Sequence, residues 1–136
     1  MLVTGTPKMD DYSAFFATID RYKTTPFSWG KHDCSLFVAD AIEALRGIDY
    51  AKPFRGQYKT KKAAYKCLAK YGGIDGYLDG LFSRVHPSTA RRGDILKVGN
   101  EIFSVGVCAG QTVWYMDQDG VKNIPARLGA IAWRVA

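Results

Sequence analysis

Residues 26–38 read Pro26-Phe27-Ser28-Trp29-Gly30-Lys31-His32-Asp33-Cys34-Ser35-Leu36-Phe37-Val38. An aromatic, glycine-containing turn runs directly into Asp-Cys-Ser, and an apolar run follows. The spacing of Phe37, Val38, Ala41, Ile42 and Leu45 predicts a helix over 34–46, stopped by Gly47. Being nearly apolar at its start, this helix is expected to be central. Cys34 then sits at a helix N-terminus, where unpaired N–H groups and the positive end of the macrodipole favour a thiolate. A nucleophilic cysteine is expected at such a place.

Upstream, residues 9–22 carry Tyr12, Phe15, Phe16 and Ile19 at helical spacing, with Asp10 and Asp11 in the first turn and Arg21 and Lys23 near the end. Downstream, 48–60 reads as loop, 61–71 as a third helix closed by Gly72-Gly73, and 74–82 as a short helix weakened by Gly76 and Gly80. Pro87 breaks the chain. From Gly93 the pattern becomes short strands, at 94–98, 102–109, 112–116, 121–124 and 130–135, divided by Gly-Asn, Ala-Gly and Asp-Gly turns. Helices first and strands second predict an α+β domain, with a small antiparallel sheet packed on the Cys34 helix. The expectation is one domain over 1–136, with an inserted helical segment at about 48–86.

Composition bounds the function. A chain of 136 residues with 47% hydrophobic residues suits a single packed core and excludes disorder. No apolar run approaches the roughly 18 residues of a membrane span. Met1 to Lys8 lacks a signal-peptide layout, which places synthesis in a cytoplasm. The net charge of +6 points to an acidic partner, or to Lys59, Lys61, Lys62 and Lys66 solvating one helix. No compact basic block with interleaved aromatics is read here, so nucleic acid is not an expected partner. Three cysteines without a CxxC pair argue against a disulfide framework and a zinc site, and two histidines exclude a His-rich metal centre. No cofactor is expected. Cys67 and Cys108 read as small buried hydrophobes.

The order of a helix-borne Asp-Cys-Ser and then a small antiparallel sheet resembles the NlpC-type cell-wall cysteine peptidases, which are papain-like. The likeness rests on Phe27, Trp29-Gly30 and Asp33-Cys34-Ser35, on Arg92-Gly93-Asp94-Ile95-Leu96 at a first strand, and on Ser104-Val105-Gly106-Val107 at a second. It implies Cys34 as the candidate nucleophile. It also implies a base histidine where this chain has Ser104. A serine hydroxyl cannot take and hold a proton near neutral pH as imidazole does. The residue that orients the base falls near Tyr115 and Met116. The tyrosine of the first motif is Phe27, and the glycine after Asp-Cys-Ser is Leu36. His32, His86 and Asp33 are the remaining polar candidates around Cys34.

Trp-Gly-Lys-His-Asp-Cys, Arg55-Gly56-Gln57-Tyr58 before a basic helix, and Ala132-Trp133-Arg134-Val135 resemble small proteins encoded among the tail-tip genes of tailed bacteriophages. That branch commonly lacks the strand-two histidine. The likeness implies a structural or assembly protein of the virion tail, with other tail-tip proteins as partners. Two other readings stay open. One is a peptidase or amidase acting on peptidoglycan, with helix N–H groups as oxyanion donors. The other is a basic binding module for an anionic polymer.

Overall fold

Asp33 ends an extended segment, and its carboxylate accepts a hydrogen bond from the Leu36 N–H, which starts a helix at the next residue. That helix runs Cys34–Arg46 and ends on Gly47 in a left-handed conformation. The computed structural model describes residues 12–99 and 104–135. The helices are α1 (Ser13–Lys23), α2 (Cys34–Arg46), α3 (Lys61–Ala69) and α4 (Gly73–Leu81). The strands are β1 (Ser83–Val85), β2 (Ile95–Lys97), β3 (Val105–Cys108), β4 (Thr112–Asp117), β5 (Gly120–Pro125) and β6 (Ile131–Arg134). All pairings are antiparallel, in the order β1-β6-β2-β3-β4-β5. The α+β architecture is the one the sequence predicts. No helix among the described residues is long and apolar enough to cross a membrane.

Helix α2 lies against β3 and β4, and α1 packs on α2 and reaches β5. Phe15, Ile19 and Tyr22 of α1, Leu36, Phe37 and Ile42 of α2, and Val105, Val107 and Trp133 of the sheet form the main core. Leu96, Cys108, Val113 and Ala132 pack on the opposite face of the sheet. Leu36 is fully buried, so the departure from glycine there supplies core volume.

Several expectations need correction. Phe16 is 37% exposed, and the buried stripe of α1 is Phe15, Thr18, Ile19 and Tyr22. Helix α3 stops at Ala69, and Gly73 opens α4 rather than closing α3. Gly76 does not weaken α4. A Cβ there would lie 2.0 Å from the Tyr71 carbonyl oxygen, so the glycine lets the helix pass its own entry loop. Pro87 starts a single 3-10 turn, and the short edge strand β1 has no counterpart in the sequence reading. Cys67 is only partly buried. The expected helix start at 9–11, with Asp10 and Asp11, and the strand start at 102–103 lie outside the described residues.

Polar clasps hold the segment between α2 and β1 to the framework. Arg55 donates from Nε to Asp49 at 2.8 Å and from Nη2 to Asp40 on α2. Tyr22 donates its hydroxyl to the other oxygen of Asp40. Beyond that segment, Asp94, almost fully buried, accepts from the Arg91 N–H, the Val135 N–H and Arg134 Nε, tying the entry to β2 to the end of β6. Trp133 Nε1 donates to Asp79 at 2.9 Å.

The Arg55 clasp carries a pH signature. Its guanidinium holds the Asp49 carboxyl below the ordinary 3.8. A carboxyl lowered by folding stabilises the fold above its unfolded pKa and loses that contribution as the pH falls through the folded value. Arg55→Ala is expected to cost about 2 kcal/mol at pH 7, less than a fully buried pair because the guanidinium is part-exposed. It should also flatten the loss of stability below about pH 4. Urea melts at pH 7, 4 and 3 check this, and parallel acid limbs for both proteins would contradict it.

Candidate functional site

The turn before α2 is built around Asp33. Its side chain is 1% exposed. Oδ1 accepts from the Leu36 N–H at 3.0 Å, and Oδ2 accepts from the Gly30 N–H at 2.9 Å and the Tyr58 hydroxyl at 2.7 Å. Burial, followed by the Asp33 charge, pushes the Tyr58 phenol well above its usual range, so it remains a donor. Gly30 has φ of +83°, and a Cβ on it would lie 1.9 Å from the Tyr58 carbonyl oxygen. The Gly56 N–H closes the loop onto the Gly30 carbonyl at 2.9 Å. Asp33 is therefore a buried brace with its oxygens committed, not a base facing substrate. Tyr58 and Gly30 are the residues that sequence reading missed here. The Trp-Gly and Arg-Gly-Gln-Tyr stretches were the available signal, and they meet in this contact.

Cys34 is the first residue of α2 and is 9% exposed. It lines an open cleft of about 360 Å³ between the turn and the sheet. Phe27 and Trp29 form one side, their rings edge to face at 4.8 Å. Ser104, Tyr115 and Asp117 line it from the sheet, and Lys61 from the start of α3. The structure thus brings Cys34, Ser104 and Tyr115 to one cleft. Gly106 pairs with Tyr115, so continuing that register two residues brings Ser104 opposite Asp117. Asp117, bonded to Lys122 Nζ at 2.7 Å, is a cleft residue the sequence alone does not single out.

Neither histidine lines this cleft. His32 exchanges backbone hydrogen bonds with Ser28, and its ring meets the Tyr22 ring edge to face at 5.5 Å. His86 is exposed, and its Nδ1 accepts from the Ser88 N–H at 3.1 Å, capping the turn at Pro87. Ser35 lines a separate apolar cavity of about 40 Å³ with Ile42, Phe54 and Leu78, and its Oγ is buried without a hydrogen-bond partner among the described residues. Met116 is 1% exposed and belongs mainly to the core. The cleft offers a thiol at a helix N-terminus, the Ser104 side chain, and aromatic and charged walls.

The family model described as a domain of unknown function (DUF6950) matches residues 7–135. The chain belongs to the DUF6950 family. Among curated proteins, nothing matches it. A solved structure similar to this DUF6950 chain is the crystal structure of the NlpC/p60 domain of peptidoglycan hydrolase SagA. The TM-score is 0.60 at 18% identity, over 92% of this chain and 99% of that one. The DUF6950 chain therefore has an NlpC-like fold, as a helix-borne Asp-Cys-Ser followed by a small antiparallel sheet predicts.

Proposed function

We propose that this chain is a structural or assembly protein of the tail tip of a tailed bacteriophage, built on an NlpC-like scaffold and lacking hydrolytic turnover. The observation that carries the reading is the composition of the Cys34 cleft. The base position is a serine, and both histidines are engaged elsewhere. Thiolate attack on an amide needs a group that takes the thiol proton and returns it to the leaving amine. Ser104 can do neither near neutral pH. Support for the tail-tip part comes from the sequence likeness. Of the residues that carry it, Arg55, Tyr58, Trp133 and Arg134 make framework contacts, so the likeness follows the build of the domain rather than a reaction centre. The partners on this reading are other tail proteins, and the location is the virion.

The experiment is Cys34→Ala in the phage that encodes the chain, beside an assay of the purified protein on peptidoglycan. Particle yield and infectivity are expected to stay within about twofold of wild type, since removing one sulfur costs only about 1–2 kcal/mol. No muropeptide release is expected. Release that disappears in Cys34→Ala would establish the second reading, a cysteine peptidase or amidase. That reading is favoured by one observation, that Cys34 lines an open cleft at a helix start. It needs a base brought by a partner chain.

A further inference from the structure

Residues 50–74 hold seven of the chain's 19 basic residues and none of its 13 acidic ones. The rest of the protein is close to neutral, so the whole charge excess comes from this segment. Lys62, Lys66 and Lys70 recur every fourth residue along α3 and its C-cap, are exposed, and share one face about 6 Å apart. Lys59 precedes them and lines an open groove of about 580 Å³ together with Trp29, Lys31 and Tyr58. Trp29 lines both this groove and the Cys34 cleft. Arg55, also in the groove, is held by Asp40 and Asp49, which leaves lysines to present the charge.

We propose that this lysine face and the Trp29 groove form a docking surface for single-stranded nucleic acid, held by its phosphates and by a base stacked on Trp29. The chemistry selects this occupant in two steps. A stable protein interface needs an apolar centre, and the exposed α3 positions that carry the charge, Lys62, Lys66 and Lys70, supply none. A phosphate backbone needs only cations that track it, and lysine serves as a point charge without fixed geometry. A groove combining an aromatic ring with cations is what a single strand requires and what a duplex, with its bases stacked inside, cannot use. Trp29 and Lys31 lie 28 or more residues from Lys59 and the α3 lysines along the sequence, and only the fold brings them together. The proposal does not depend on the tail-tip reading.

The test is fluorescence anisotropy of the full chain with a labelled 20-residue oligo-dT, from 50 to 300 mM salt. With about four phosphates contacted, the log–log salt slope is expected near −3, about 0.7 per contact. The triple variant Lys59→Gln, Lys62→Gln and Lys66→Gln changes only exposed side chains. It should lower the slope by about 2 and weaken binding at 50 mM salt at least tenfold. Trp29→Leu should weaken oligo-dT about tenfold, in the range of one lost stacking contact, with the slope unchanged. Absence of binding at 50 mM salt, or wild-type binding by the triple variant, overturns the proposal. Equal affinity for a length-matched duplex together with a neutral Trp29→Leu replaces the single strand by a duplex and overturns it as stated. Polyglutamate competing as well as oligo-dT at equal charge would assign the face to an acidic protein instead.

Discussion

Ser104→His is expected to turn Cys34 into a reactive thiolate. In the wild-type protein, Cys34 should be alkylated by iodoacetamide at neutral pH no faster than an ordinary thiol, with a rate that climbs through about pH 8–9. A helix N-terminus lowers a thiol pKa, but burial opposes it, and Cys34 is only 9% exposed. An imidazole at position 104 changes this balance. It would enter the same cleft as the sulfur, from the position just before β3. Ser104 is part-exposed, and its close neighbour Gly99 has no side chain to compete for the space. Asp117, opposite by register, supplies a carboxylate to orient the ring. The alkylation rate at pH 6.5 should rise at least about tenfold and stay nearly flat from pH 6 to 8, the mark of a preformed ion pair. Adding Asp117→Asn should remove part of that gain. A folded Ser104→His protein that alkylates like wild type would show that the cleft is not arranged around a missing base.

Reactivity alone would not make an enzyme. Hydrolysis also needs a bound substrate held near the sulfur and oxyanion donors placed for the tetrahedral intermediate. Measuring the thiol separates the question of the base from both. The tail-tip reading survives a positive result, since a cleft able to accept a histidine need not contain one.

The fold was legible in the sequence because its decisive signals are local. The apolar stripe of α2, the left-handed Gly47 and the short, turn-divided strands after Gly93 each depend on near neighbours. The errors came where distant packing overrode local propensity. Gly76 reads as a helix breaker, yet it is required by the Tyr71 carbonyl that α4 passes. Phe16 reads as core, yet the face of α1 that meets α2 is set by Phe15, Ile19 and Tyr22. Strand β1 has only three residues, two of them exposed, so it carries little pattern of its own. Its partner β6 defines it.

At the site, the residue types were legible and the roles were not. Cys34, Ser104 and Tyr115 do share a cleft. Asp33 stood beside the histidines as a polar candidate because adjacency to Cys34 is all the sequence displays. Its three hydrogen bonds come from residues three positions either side and from Tyr58, 25 positions away. Asp117 was passed over because its relation to Ser104 is a matter of strand register.

The second large effect follows from that brace. Asp33→Ala is expected to destabilise the protein by about 3–5 kcal/mol, a large part of a typical domain stability. The loss has three sources. The helix cap at Leu36 goes, worth about 1 kcal/mol. The Gly30 N–H and the Tyr58 hydroxyl are then left unpaired, at about 1–3 kcal/mol for each buried donor. Tyr58→Phe alone should cost about 1–1.5 kcal/mol, since it removes one donor and leaves Asp33 two others. The double variant distinguishes a brace from two independent contacts. With Tyr58→Phe already in place there is no hydroxyl for Asp33→Ala to orphan, so the pair should cost about 1 kcal/mol less than the sum of the single changes. Additivity within about 0.3 kcal/mol in urea melts would sink the brace. The same measurement bears on function, because Asp33 fixes the turn that carries Trp29 and the helix end that carries Cys34. The aromatic wall of the cleft and its thiol therefore depend on one buried carboxylate, and the loop bearing Tyr58 is what keeps it in place.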